Sequence, residues 1–521
     1  MSVSNLIKHV VIVGGGSAGW LTAGVLAAEH CSDAASGLRI TLIESPDVKT
    51  IGVGEGTWPT MRDTLRKIGV SETDFIGECD ASFKQGSKFV GWVTGDEDDY
   101  YYHPFVLPQG YTETNLVPEW QSAHGHVPFA DLVSFQPHLC EHGRAPKQNT
   151  TPEFAAVANY AYHLDAGKFG QFLQKHCTEN LGVTHILDHV RGVNTADNGD
   201  IASLQTASHG DLEGDLFIDC TGFAALLLGQ HYDIPFISKK DILFNDTALA
   251  VNVPYEAENS PIASQTIATA EEAGWIWDIG LPTRRGVGHV YSSSHTTDEA
   301  AEAALIRYIQ RTSGSSAEKI GSPRKISINP GHRARFWQQN CVAVGISAGF
   351  IEPLEASALA LIEFSAAMIS DELPATRDTM DIVARRFNER FSYRWSRIID
   401  FLKLHYVLTK RTDSRFWIEN RQSESIPERL QELLLLWRHR SPSRYDLFQI
   451  EEIFPSASYQ YVLYGMGFRP EARPAARKSD DAKRADGFFR ESAKLTRKML
   501  AALPTNRELI NQIKLHGLQK I

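Results

Sequence analysis

Glycines 14, 16 and 19 form the pattern G-x-G-x-x-G. They follow the apolar, β-branched run HVVIV and precede LTAGVLAAEH, a run of good helix formers. Strand, glycine turn and helix in that order suit a dinucleotide. The first glycine permits a tight turn, the second lets backbone approach a pyrophosphate, and the third lets helix and strand pack closely. Gly14, Gly16, Ser17, Ala18 and Gly19 are therefore the predicted cradle. There the N–H groups and dipole of a helix start favour phosphate. A second strand, LRITLIES, ends at Glu44, where a carboxylate can accept hydrogen bonds from ribose hydroxyls. Only one such fingerprint occurs, so a second domain for a nicotinamide nucleotide is not evident. A loop with Gly54, and the turn GISAGF with Gly345 and Gly349, offer further places where backbone can approach a cofactor.

Two other stretches carry candidate chemistry. Pro353 is expected to open a helix in FIEPLEAS. Glu352 and Glu355 would favour the dipole of that helix start, and its unpaired N–H groups would suit an anion. In GWIWDIG, Trp275 and Trp277 share one face of a predicted strand, because alternate residues point the same way. Two indoles so placed make a wall, whether of a core or of a site. His124 and His126 lack a carboxylate or cysteine at ligand spacing, so no metal site is predicted.

These residues need a scaffold, and the chain is long enough to build one. It has 521 residues, 42% hydrophobic and 22% charged, which is ordinary globular composition. The net charge of -11 argues against a general nucleic-acid surface. Six scattered cysteines without a C-x-x-C pair fit free thiols in a reducing cytoplasm. The most apolar later stretch, 354–369, is too short to span a bilayer and is interrupted by Glu355 and Glu363, so no membrane association is expected. Asp165 is expected to cap a helix over 166–180 closed by Gly182, with strands at 184–187 and 201–206. DLFIDCTGF reads as a buried strand running into a turn. Thr296 and Glu299 form a capping-box pattern before AAEAALIRYIQR, and 469–486 looks like an exposed linker. The order predicts an α/β nucleotide-binding core over 1–375, with inserted β segments supplying substrate elements near 80–160 and 245–295. A mostly helical C-terminal subdomain follows over 376–521.

Several segments together resemble the flavin-dependent tryptophan halogenases. They are GGGSAGW at 14–20, GVGEGTWPT at 52–60, DASFKQGSKFVGW at 80–92 and AYHLDAGKFGQFL at 161–173. DCTGF at 219–223, GWIWDI at 274–279, GFIEPLEAS at 349–357 and LHYVLTKR at 404–411 complete the set. The resemblance runs from about Val10 to Gly467. It implies a core of the flavin monooxygenase type, related to glutathione reductase. It also implies a two-component system in which a separate NAD(P)H-dependent reductase supplies FADH2. O2 then forms a flavin hydroperoxide, chloride or bromide is oxidised, and hypohalous acid passes through an internal tunnel to a lysine beside an electron-rich aromatic substrate. Lys84 matches that lysine and Glu355 the family's catalytic glutamate. Ser357 and Ala358 match the halide-binding backbone, with Ser357 standing where threonine is usual. His103 and Phe105 match the segment that packs on the substrate indole, and Trp275 and Trp277 a wall between flavin and substrate. The resemblance leaves room for a homodimer.

Two departures bear on substrate. Gly280 replaces the proline that usually follows the tryptophan pair, and Tyr459 stands where relatives often have tryptophan. An indole-like or phenolic compound, or a larger natural-product precursor, is then at least as strong an expectation as free tryptophan. The alternatives are a flavin-dependent aromatic hydroxylase that uses no halide and a flavin-binding relative without halogenating chemistry, since fold and cofactor site survive loss of chemistry.

Overall fold

The computed structural model describes residues 6–31, 37–48, 54–96, 98–313, 320–449, 452–471, 478 and 480–520. Gly52, in the glycine-bearing loop, lies outside them. The contacts divide the chain into two compact units. One gathers Met1–Ala81, Leu164–Lys239 and Asn329–Trp395; the other gathers Ser82–His163, Lys240–Ile328 and Ser396–Ile521. The two stretches expected as insertions thus fold with the C-terminal helices.

The first unit is built on a six-stranded sheet. Its strand order is Trp337–Gln338, Cys341–Ala343, Leu216–Asp219, His9–Val13, Arg39–Glu44, Thr184–Leu187. All neighbours pair in parallel except the first two. His9–Val13 is buried along its whole length, as expected of a continuous apolar run in a central parallel strand. The Gly16–His30 helix makes the crossover to the next strand. Asp165 caps Ala166–Asn180 by accepting from the Lys168 N–H, as the sequence predicts. The strand Val190–Thr195, absent from that reading, forms a small antiparallel sheet with Ile201–Thr206 and Asp211–Glu213.

The second unit is built on a seven-stranded sheet, ordered Arg324–Ser327, Thr247–Pro254, Arg284–Tyr291, Gly274–Gly280, Thr266–Glu271, Gly86–Val90, Tyr100–Pro104. It is antiparallel except where Thr266–Glu271 meets Gly86–Val90. Ile276 joins Leu249, Val251, Val287 and Tyr291 in a core with Leu305, Tyr308 and Ile309 of the Asp298–Ser313 helix. The tryptophans flanking Ile276 therefore belong to the sheet's other face.

Three local expectations are corrected. The Asp298–Ser313 helix is capped by Thr297, whose hydroxyl accepts from the Ala300 N–H, because the Thr296 N–H is taken by the Ser292 carbonyl. A helix, Ala482–Ala502, begins inside the expected linker, capped by Asp481. Pro353 opens only a short 3-10 turn, and the α-helix starts later, at Ser357. Glu355 and Ala356 stop the earlier start because both lie in the left-handed region, at φ 63° and 55°.

Candidate active site

In the first unit, Gly14 and Gly16 adopt φ 102° and 70°, conformations in which a side chain is strained. A Cβ at Gly14 would lie 2.4 Å from the Cys220 carbonyl oxygen, and one at Gly19 2.0 Å from that of Gly14. A Cβ at Gly16 would meet nothing within 4 Å, so the turn is open on that side. The helix beginning there has no carboxylate in its first turn and no side-chain cap. Its first N–H groups are therefore left for a ligand. The Glu44 carboxylate reaches this turn: a Cβ at Gly15 would fall 1.7 Å from its Oε2. His185 Nε2 lies 2.9 Å from the other oxygen of Glu44. An open turn, uncapped N–H groups and an adjacent carboxylate fit a dinucleotide with a pyrophosphate and a ribose.

The same unit carries an apolar pocket lined by Gly345, Gly349, Phe350, Ser357, Ala358 and Trp395, among others. Residues nominated separately for cofactor and halide thus share one pocket. Gly345 packs tightly on the glycine helix, since a Cβ there would lie 2.9 Å from that of Ala18. Ser357 and Ala358 open a 15-residue helix with no acidic residue in its first turn and no side-chain cap. Glu355, buried, precedes that helix, and its carbonyl accepts a hydrogen bond from the Trp58 indole at 2.7 Å. Gly54 begins the short strand Gly54–Gly56, just before Trp58. Further along the helix, Glu363 accepts from the Thr64 and Thr60 hydroxyls at 2.6 and 3.3 Å. Burial pushes its carboxyl up to about 8; the two hydroxyls oppose that rise and Asp63 adds to it.

In the second unit, Lys84 ends the strand Ser82–Lys84 and is 1% exposed. Its Nζ lies 5.5 Å from the centre of the Phe105 ring. The Phe105 backbone is fixed from both sides: its N–H donates to Gln136 Oε1 and its carbonyl accepts from Asn159 Nδ2. Ser82–Lys84 pairs with 161–163, which places His163 opposite Ser82. Burial first, and the Lys84 charge second, hold the His163 imidazole well below its ordinary pKa. His103 is buried against Phe401, Phe454 and Tyr461, with ring centres 5.6, 6.4 and 6.3 Å away. Tyr459 joins through Phe401, at 4.9 Å, and also packs on Trp437. Trp275 and Trp277 are buried with ring centres 6.5 Å apart. Trp277 lies across Gly288 of the next strand, where a Cβ would come within 2.1 Å of the indole. Trp275 instead meets Trp92, at 6.2 Å. Lys84 and Glu355 belong to different units.

The tryptophan halogenase family model matches residues 9–481. This chain belongs to the tryptophan halogenase family. It is 32% identical to the tryptophan 6-halogenase SttH of Streptomyces toxytricini, over 96% of this chain and 97% of that protein. It is 30% identical to the tryptophan 7-halogenase RebH of Lentzea aerocolonigenes, over 98% and 99%. The crystal structure of a tryptophan halogenase from Shewanella frigidimarina superposes with a TM-score of 0.95, at 51% identity and 99% coverage of both chains. Tryptophan halogenases are flavin-dependent enzymes that need a separate flavin reductase, and this chain is an enzyme of that kind. Among the described residues no group of His, Cys, Asp or Glu could hold a metal ion, and no helix is long and apolar enough to cross a membrane.

Nothing in the sequence alone marks Phe401, Phe454, Tyr461, Trp58 or Glu363 as a site residue. Glu363 did leave a signal, as a carboxylate interrupting an otherwise apolar helical run. Trp58 stood within a segment that carried the family resemblance.

Proposed function

We propose that this enzyme halogenates an electron-rich, indole-class aromatic compound, using FADH2, O2 and either chloride or bromide. Gly14, Gly16, Ser17, Ala18 and Gly19 would hold the pyrophosphate and Glu44 the ribose, with Gly54, Gly345 and Gly349 bringing backbone close to the rest of the cofactor. Once bound in its reduced form, the flavin would supply the two electrons that turn O2 into an oxidant able to convert halide to hypohalous acid. The N–H groups at Ser357 and Ala358 hold the halide, helped by the dipole of their helix. Glu355, just before them, orients the halogenating species.

Lys84 acts at the aromatic end. Its ammonium donates a hydrogen bond to the hypohalous oxygen as the ring carbon takes the halogen; the departing hydroxide takes that proton and leaves as water, and the proton then lost from the substituted ring carbon restores the ammonium. His103, Phe105 and the rings around His103 grip the flat substrate, and Trp275 with Trp277 forms a wall on the substrate side. Tyr459 supports this box through Phe401.

One observation carries the reading: a lysine 1% exposed, beside an aromatic ring whose backbone is clamped from both sides. Ordinary lysines are solvated, so burial of this kind asks for a function. The test is turnover of indole by the purified chain with a flavin reductase, NADH, FAD and O2, with bromide, with chloride and without halide. Mass spectrometry is expected to find a halide-dependent product carrying one halogen. A hydroxylated product without halide would replace this reading with that of an aromatic hydroxylase.

A further inference from the structure

Glu355 and Ala356 are consecutive non-glycine residues in the left-handed region. Such a pair is strained and persists only where its surroundings hold it. The turn also takes the Glu355 carbonyl out of the ladder of the helix that follows, since Ala356 is already that helix's N-cap. A buried carbonyl in that position needs a donor. Trp58 supplies one: its indole N–H donates to the Glu355 oxygen at 2.7 Å, in a buried bond linking residues 297 apart in sequence.

Trp58 is itself fixed from several sides. Its ring meets Phe364 of the same helix edge-on, with centres 6.2 Å apart. Pro59 restricts its backbone to extended conformations. Its carbonyl accepts from the Met61 N–H, which starts the Met61–Lys67 helix. It also follows Thr57 and the Gly54–Gly56 strand directly. A rigid indole therefore runs from a segment assigned to the cofactor to the one strained peptide that separates Glu355 from the halide-binding N–H groups.

We propose that Trp58 is a positioning residue for halide oxidation: its indole N–H holds the left-handed turn at Glu355 and so sets the direction of Glu355 and of the N–H groups at Ser357 and Ala358. This rests on the halogenase reading of the preceding section. It adds a residue that touches neither the substrate nor the halide. A role in packing alone would need the ring but not its N–H. The proposed role needs the N–H.

Two variants separate these. Trp58→Phe keeps a ring and loses the donor. Replacement of Trp58 by 3-benzothienylalanine keeps size and shape and loses the N–H alone, and it decides the matter if the phenylalanine variant fails to fold. Each is assayed with bromide, indole, FAD, reductase and NADH, and FAD affinity is measured separately. Loss of a hydrogen bond to a buried acceptor is expected to raise the apparent KM for bromide about tenfold, and to lower brominated product per O2 consumed, while FAD affinity stays within about twofold. Unchanged bromide KM and coupling in the benzothienyl variant would overturn the proposal. So would a loss of FAD affinity in proportion to the loss of halide use, since Trp58 would then only shape the cofactor segment. If the parent itself makes no brominated product, the failure lies with the halogenase reading instead.

Discussion

Gly14 and Gly16 stand at φ 102° and 70° before an uncapped helix, and the second capped-free helix start, at Ser357, lines the pocket shared with Gly345 and Gly349. In the other unit Lys84, Phe105, His103, Phe401 and Phe454 are all large side chains, drawn from strands, a helix and loops far apart in sequence. One candidate site is made of backbone and the other of side chains. The difference suits the ligands proposed for them. A pyrophosphate and a halide are anions, recognised by N–H groups that every residue carries. A flat aromatic ring is recognised by shape and apolar area, which only side chains supply. The backbone-built site should therefore fail abruptly when a single Cβ is added, and the side-chain-built site should degrade by degrees.

The largest effect is expected at Gly19. Gly19→Ala places a carbon 2.0 Å from the Gly14 oxygen, so the turn cannot keep its form, and FAD binding is expected to be lost. Gly16→Ala is the contrasting case. It meets no atom but retains a left-handed φ, so its cost is expected to stay near 1–3 kcal/mol, or about ten- to hundredfold in FAD affinity. Fluorescence titration with FAD compares the two, and equal losses would erase the distinction between clash and strain.

A smaller effect is expected in the aromatic box. Phe454→Leu keeps apolar volume and removes a ring stacked on Phe401 at 3.8 Å and set against His103. Loss of an aromatic contact of about 1 kcal/mol predicts a roughly fivefold rise in the KM for indole, with FAD affinity unchanged. Steady-state kinetics checks this, and an abrupt loss of all activity in a folded variant would show that the box is not graded.

The smallest effect on turnover is expected at Glu363, a side-chain device inside the backbone-built unit. Its carboxyl ionises near 4.5 in an unfolded chain and at about 8 when buried here. A raised pKa means the folded state holds the proton more tightly. The stabilisation it brings is full below about 4.5 and is lost as pH rises to about 8. Glu363→Gln keeps the acceptor for Thr64 and cannot ionise. Its stability advantage over the parent is expected to grow across that window to a few kcal/mol and then level off. Thermal unfolding from pH 5 to 9 measures it, and parallel curves would show that Glu363 does not titrate in this range.

The comparison also explains what could be read in advance. The glycine turn, the Glu44 strand end and the Asp165 cap are local patterns, and the structure gives each the expected element. Pro-x-Glu resembles a helix opening and so points to a start before Ser357, whereas the left-handed pair at Glu355 and Ala356, hydrogen-bonded to Trp58 from far along the chain, has no local signature. Trp58 and Glu363 acquire meaning only through each other's segments, 57–64 and 355–363. Phe401, Phe454 and Tyr461 likewise lie in helical stretches or loops where an aromatic residue is most simply read as core. His103 and Phe105 are legible only through the family resemblance, and their surroundings come from folding.

Halide oxidation and transfer to carbon are proposed here as separate tasks, with Lys84 needed for the second. The measurement is flavin reoxidation followed beside halogenated indole formation in Lys84→Ala, with bromide and a reductase present. Near-parent flavin reoxidation is expected, with loss of product by at least about a hundredfold, the scale of a lost general acid. A correctly folded, FAD-binding Lys84→Ala enzyme that brominates indole at close to the parent rate would contradict it.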